Sequence, residues 1–375
     1  MNHKEQIGIY VHIPFCVRKC AYCDFLSFPA QKETKERYID ILCKQIDATE
    51  DPRSVASVYF GGGTPSVVEP MQIERILCKL KERFAILPDA EITVEVNPGT
   101  VTPEYLKIYR DAGVNRLSIG LQSANEEELK MLGRIHTYAD FLHTYEDARS
   151  LGFANINVDL MTALPGQDAQ KLSHTLKCIL ALKPEHISAY SLIIEEGTPF
   201  FERYGSDRSG LPDEDTERRL YYLTRDMLTG NGYRHYEISN FAGKGFESRH
   251  NSACWRREDY LGFGLGAASL CNNRRFRNTT DLKQYLTDPL CREEEIVLER
   301  KDCMEEFMFL GLRMLEGVSE EDFSGQFKVS LSDVYGEVIG KLLKTGLIMR
   351  EKGRIKLTDE GIDHGNYVFS QFLFT

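Results

Sequence analysis

Strand-like and helix-like periodicities alternate six times in the first half of this chain, and that alternation limits the folds open to it more than any other feature. Short runs rich in β-branched residues fall at 7–13, 55–60, 92–96, 116–121, 155–161 and 186–192. Between them apolar residues return at the 3.6-residue period, as in Tyr38, Ile39, Leu42 and Ile46, or Ile73, Ile76, Leu77, Leu80 and Phe84. Strands joined by helical crossovers pair in parallel with one handedness, and curling such a sheet produces a partial (β/α)6 barrel. The expected class is therefore α/β, a TIM-like partial barrel over residues 1–232. A length of 375 residues leaves room for a second, smaller unit.

After a helical pattern at 213–228 the chain breaks at Gly230-Asn231-Gly232. Residues 233–239 read as a strand, and 241–270 are rich in glycine and aromatics with no clean period. We expect 233–298 to form a connector packed over the barrel's open side. From 299 to 375 the periodicity is helical at 302–315, 319–327 and 332–344, then a hairpin turns at Lys352-Gly353 before a last helix at 359–372. That order resembles a winged helix, giving a small C-terminal α+β domain. Winged helices often bind DNA, but residues 300–375 hold ten Lys and Arg against thirteen Asp and Glu. A net-acidic module neutralises phosphates poorly, and the whole chain carries a formal charge of −11, so no nucleic-acid partner is expected.

No apolar stretch is long enough to span a bilayer and no leader is apparent, so the expected location is the cytoplasm. A reducing compartment also suits ten dispersed cysteines. Six of them, Cys43, Cys78, Cys178, Cys271, Cys291 and Cys303, stand singly in apolar or helical contexts and read as small hydrophobes.

The unusual polar residues and glycines gather at strand ends. Gly61-Gly62-Gly63-Thr64-Pro65 follows the second strand, Glu95 and Asn97 end the third, Gln122 ends the fourth, Asp159 lies in the fifth and Tyr190 closes the sixth. In a β/α barrel these positions share one rim, where ligands are held, and Arg134 flanks it. Directly after the first strand, Cys16, Cys20 and Cys23 form Cys-x3-Cys-x2-Cys with no fourth cysteine nearby. Structural zinc takes four protein ligands, whereas three thiolates on a cubane iron–sulfur cluster leave one iron open. A zinc knuckle, or thiols that are merely neighbours, remain the alternatives. Electron-transfer ferredoxins do not fit, since they use four thiolates per cluster.

Within Tyr10-Val-His-Ile-Pro-Phe-Cys16-Val-Arg-Lys-Cys20-Ala-Tyr-Cys23, this spacing resembles the radical S-adenosylmethionine (SAM) superfamily. The resemblance implies a [4Fe-4S] cluster on Cys16, Cys20 and Cys23 whose open iron is chelated by the amino and carboxylate groups of SAM. It also implies SAM contacts at Tyr10, Gly62, Gly63, Thr64, Glu95, Gln122, Arg134 and Asp159, with the glycine segment meeting the methionine amino group. Carboxylates and amides suit a sulfonium and a ribose diol. Glycines let backbone approach a ligand and leave amides free to meet it. Tyr10 packs beside cluster and adenine in this reading, or is simply a strand residue.

Six further segments narrow the resemblance: Tyr-x-His-Ile-Pro-Phe-Cys at 10–16, Gly-Gly-Gly-Thr-Pro-Ser at 61–66, Glu-Val-Asn-Pro at 95–98, Ser-Ile-Gly-Leu-Gln-Ser at 118–123, Asn-Val-Asp-Leu-Met at 157–161 and Tyr-Glu-Ile-Ser-Asn-Phe at 236–241. Together they are similar to the coproporphyrinogen-oxidase-like branch. One family there, the oxygen-independent coproporphyrinogen III dehydrogenases of porphyrin biosynthesis, uses a SAM-derived radical to take hydrogen from substrate propionates before decarboxylation. The other comprises heme chaperones called HemW. The dehydrogenases carry a long extension ahead of the tyrosine and a further cysteine two residues after the third. Here nine residues precede Tyr10, and Phe25 holds that position. The chaperones carry His-Asn-x-x-Tyr-Trp, matched by His250-Asn251-Ser252-Ala253-Cys254-Trp255 except that cysteine replaces tyrosine.

The expectation is thus a heme chaperone, with His250 as an axial heme ligand, a heme-acceptor protein as partner and an electron donor for the cluster. Cys254 puts the role of the family tyrosine in doubt. Residues 244–277 hold seven Lys and Arg against three Asp and Glu. Arginine pairs bidentately with carboxylates, so that patch would receive heme propionates or an acidic partner, unless it is only a solvated strand surface.

Overall fold

The structure, a computed structural model, describes residues 6–374. Six parallel strands stand side by side in chain order: β1 Gln6–Ile13, β2 Ser54–Gly62, β3 Ala85–Val96, β4 Arg116–Gln122, β5 Ile156–Thr162 and β6 His186–Ser191. Alternation within the strands decides which way each side chain points. In β1, Ile7, Ile9, Val11 and Ile13 are at most 2% exposed and belong to the main apolar core. Helices Lys32–Asp47 and Pro70–Arg83 bury the periodic residues read from the sequence, including Ile39, Leu42, Ile73 and Leu80. Each such side chain contributes roughly 1.5–3 kcal/mol on burial.

The inner row is of a different kind. Cross-strand registers align Tyr10 with Tyr59, Thr93 and Arg116, Glu95 with Ser118, Asn157 and His186, and Gly120 with Asp159 and Ser188. Barrel interiors are usually filled by branched aliphatic residues. This one is filled by hydrogen-bonding groups, which a polar ligand at the mouth can use.

The stretch expected as a connector does not lie over the open side as a separate layer. It supplies six strands to the same sheet. β7 Arg234–Glu237 and β8 Asn240–Ala242 join antiparallel beyond β6. β9 Tyr260–Phe263 pairs parallel with β1, and β10 Ala268–Cys271, β11 Arg274–Asn278 and β12 Arg292–Val297 continue antiparallel beyond it. Between β8 and β9 the chain crosses from one side of the sheet to the other, carrying the short helix Arg249–Trp255.

The C-terminal region packs helices Arg300–Gly311, Glu320–Phe327 and Leu331–Lys344 on a small antiparallel sheet of β13 Val318–Ser319, β14 Ile348–Glu351 and β15 Arg354–Leu357. It has its own core around Met308, Phe323, Leu342 and Ile355. The expected last helix is two short ones, Asp359–Asp363 and Gly365–Ser370. A buried pair, Arg257 to Glu306 at 2.7 Å, ties this region to the turn that follows the short helix Arg249–Trp255. Among the described residues no helix is long and apolar enough to cross a membrane.

Candidate functional site

The three cysteines lie on the loop after β1, and the loop is closed by backbone bonds. The Cys16 amide donates to the Phe28 carbonyl at 3.1 Å, and the Phe28 amide to the Pro14 carbonyl at 2.9 Å. Its middle is pinned by the Ala21 amide on Leu132 at 3.0 Å and the Phe200 amide on Ala21 at 3.0 Å. His12 holds the far end: its Nε2 donates to the Leu26 carbonyl at 2.9 Å, so Nδ1 is the acceptor for Tyr10 Oη at 3.0 Å. Phe15 is fully buried against Phe28 and Tyr38.

All three thiols are free and part-exposed. Two already have hydrogen-bonding neighbours: Thr64 Oγ1 is 3.5 Å from Cys16 Sγ, and Arg134 Nη1 is 3.7 Å from Cys20 Sγ. Among the described residues no three His, Cys, Asp or Glu side chains are close enough to share one metal ion. A cubane takes each thiolate on a different iron, so it does not require three thiols to converge on one point.

The glycine turn closes on that loop. Gly62 has φ +110°, and a Cβ there would lie 2.4 Å from the His12 ring. At Gly63 a Cβ would stand 2.6 Å from the Phe15 carbonyl oxygen. The Gly63 and Thr64 amides donate to Ile13 at 2.9 Å and Phe15 at 2.8 Å. Those amides are therefore not free, contrary to the reading of this turn as a set of open donors.

Glu95 accepts from Tyr59 Oη at 2.8 Å. Burial, helped by nearby Asp159 and opposed by the Tyr59 bond and Arg116, pushes its carboxyl up to about 7. Asp159 is raised as well, again by burial, although Asn157 and Ser118 bond it at 2.8 and 3.0 Å. Behind it, His186 Nδ1 donates to Asn157 Oδ1 at 2.6 Å and its Nε2 accepts from Tyr236 Oη at 2.8 Å. Gln122 sits at φ +74° beside an irregularity in the β4–β5 ladder. Such bulges re-aim side chains at functional sites.

Arg134 Nη2 donates to Asn97 Oδ1 and to the Gly120 carbonyl, both at 2.6 Å. Cys20, Thr64, Asn97 and Arg134 line one cavity of about 20 Å³, enough for a single water. Tyr10 lies in the inner row, stacked on Tyr59 at 6.4 Å. In the sequence His12, Tyr59 and Arg116 stand outside the marked rim positions, and Asn97 is marked only as a strand end. Their signal was alternation, a polar residue at every second position of strands whose other face is apolar.

His250 is not on an open loop. It begins the crossing helix and points into the barrel, 6% exposed, sharing a 3.0 Å hydrogen bond through Nδ1 with Ser57 and stacked on Tyr59 at 5.2 Å. Glu91 clamps the helix start, accepting from the Arg249 and His250 amides at 3.1 Å each and from Ser248 Oγ at 3.5 Å. Burial lowers the His250 imidazole to about 4, so it is neutral near pH 7, and pushes the Cys254 thiol up to about 12. A cavity of about 440 Å³ lies against this helix, bordered by Gly8, Ser57, Tyr236, Ser252 and Ala253.

The basic patch is largely neutralised within the chain. Arg274 pairs with Glu295, Arg275 with Glu306, Arg277 with Glu294, Arg256 with Glu316 and Arg249 with Asp89. Counting 244–277 alone missed the acids of β12, which lie beside β11.

Comparison with known proteins adds to the geometry. The Radical SAM superfamily model matches residues 10–179, and the HemN C-terminal domain model matches residues 298–364. The heme chaperone HemW of Lactococcus lactis is 40% identical over 368 residues, covering 97% of this chain and 96% of that protein. HemW of Bacillus subtilis is 36% identical over 375 residues, covering 97% and 98%. The solved structure of coproporphyrinogen III oxidase (HemN) from Escherichia coli, described as a radical SAM enzyme, superposes with a TM-score of 0.86 at 26% identity. It covers 99% of this chain and 90% of that one.

Proposed function

This chain belongs to the HemW family of radical SAM proteins, and from that premise we propose that it holds heme for delivery to an acceptor hemoprotein. Cys16, Cys20 and Cys23 would bind the [4Fe-4S] cluster. Tyr10, Gly62, Gly63, Thr64, Glu95, Gln122, Arg134 and Asp159 would surround SAM. When bound, the cluster supplies an electron, received from a donor protein, and an open iron for the SAM amino-acid group. The chain's own part is to seat the thiolates on a loop fixed at both ends and to keep acceptors at the rim for a cationic ligand.

The observation that carries the heme reading is the state of His250. Burial keeps its imidazole neutral, and in the tautomer whose Nδ1–H is donated to Ser57 the lone pair stands on Nε2, as iron ligation requires. The same geometry keeps that lone pair inside the barrel until the helix Arg249–Trp255 moves. Cys254 is held as a thiol and is a poor ligand in that form.

A second reading, coproporphyrinogen III dehydrogenase, is favoured by the close superposition on HemN. Phe25, 63% exposed, holds the position of the dehydrogenases' further cysteine and weighs against it. One preparation decides. After anaerobic cluster reconstitution, heme binding is followed by absorption and coproporphyrinogen III conversion by product analysis with reductant and SAM. Heme uptake without multiple turnover is expected, and repeated product formation would move the protein to the dehydrogenases.

A further inference from the structure

We propose that Asn97 is a positioning residue that aims two hydrogen-bond donors at the cluster thiolates, Thr64 at Cys16 and Arg134 at Cys20, and so raises the cluster's reduction potential. The proposal rests on the cluster assignment above and gives Asn97 a role beyond the SAM contacts.

Four contacts join the two thiols through one side chain. Cys16 Sγ lies 3.5 Å from Thr64 Oγ1, which receives Asn97 Nδ2 at 2.8 Å; Asn97 Oδ1 receives Arg134 Nη2 at 2.6 Å, and Arg134 Nη1 reaches Cys20 Sγ at 3.7 Å. The guanidinium has donors only, so the Asn97 oxygen must face it and the amide nitrogen must face Thr64. With a lone pair of the Thr64 hydroxyl occupied by that N–H, the hydroxyl proton is left for Cys16. At the other end, Nη2 is fixed twice, by Asn97 and by the Gly120 carbonyl at 2.6 Å, and this turns the fork so that Nη1 meets Cys20.

An independent observation supports a built arrangement. A Cβ on Gly120 would lie 2.7 Å from Asn97 Oδ1 and 3.1 Å from Arg134 Nη2, so this strand position leaves room for their bond. Asn97 is itself held by Thr100, whose amide and hydroxyl both donate to its carbonyl, at 3.1 and 2.7 Å. N–H and O–H bonds to cluster thiolates favour the more negative, reduced state, so their number and aim set the potential.

The test uses the full chain, reconstituted anaerobically, with iron and sulfide measured first and the potential then read by redox titration of the reduced cluster's EPR signal. Asn97→Asp accepts from both neighbours, draws the Thr64 proton away from Cys16 and adds charge. A lower potential is expected, by about 59 mV for a tenfold loss in the one-electron equilibrium. Thr64→Val, which deletes one donor, should also lower it, and in that background Asn97→Asp should have a smaller effect. Gly120→Ala displaces Asn97 without changing any donor and gives the same reading should Asn97→Asp fail to load. Loaded variants with wild-type potentials overturn the proposal. A wild-type chain that takes up no four-iron cluster overturns instead the reading on which it rests.

Discussion

Glu91 is the residue whose removal most directly tests how His250 is stored. Its buried carboxylate accepts two amides of the crossing helix at 3.1 Å each, at the helix end where negative charge is favoured. A hydrogen bond to a charged group is worth about 1.5–3 kcal/mol net. Taking the lower value for each amide, Glu91→Ala should weaken the helix's attachment by about 3 kcal/mol, a factor of about 150 in local opening. Glu91→Gln, with one acceptor oxygen, should lose about a tenth as much in the opening constant. Hydrogen exchange followed by mass spectrometry on peptides covering 248–255 reads this directly, with faster exchange there and unchanged exchange in β1 to β6. Heme association should quicken in Glu91→Ala if His250 is the ligand and must swing out. Exchange within threefold of wild type would mean that His250, stacked on Tyr59 and bonded to Ser57, holds the helix by itself, and the clamp would be refuted.

Replacing Cys16, Cys20 or Cys23 with alanine should abolish cluster uptake in iron and sulfide analysis, whereas Cys43→Ala and Cys78→Ala should load normally. Glu95, with its carboxyl near 7, is mostly protonated at pH 6 and mostly ionised at pH 8, so affinity for cationic SAM should rise about tenfold across that range and lose this dependence in Glu95→Gln. Because that value lies above the ordinary 4.5, the stability Glu95 contributes to the empty fold is complete below about pH 4.5 and lost as pH rises through about 7, a trend that melting temperatures of wild type and Glu95→Gln can compare. Gly63→Ala should displace the cysteine loop, since its Cβ would meet the Phe15 carbonyl, and should lower iron content even with all three cysteines intact.

The six central strands were legible because their outer rows are β-branched and the helices between them keep a clean period. The rim was legible because strand ends collect ligands in any β/α barrel. β9 to β12 were not, being four to six residues long. In β9 a Cβ on Gly262 would fall 2.1 Å from the Ala268 carbonyl oxygen, so backbone approach replaces side-chain pattern there. Asn97 was visible as a strand end, but its partners stand 33 and 37 residues away, and only register brings them together. His250 read as a loop residue because a seven-residue helix begun by Ser248 shows too few turns to display a period.

The large sheet never closes on itself, and β12 is the strand left at one boundary, with all six of its residues exposed, including Ile296 at 55% and Val297 at 65%. A strand paired on one side only can template stacking between molecules. Here its sequence works against self-association. A second copy laid antiparallel on Arg292–Val297, residue against residue, would set Glu294 against Glu295, and like charges directly opposed oppose pairing. Glu294 and Glu295, which pair with Arg277 and Arg274 of β11, therefore also oppose edge-to-edge stacking of copies of this chain.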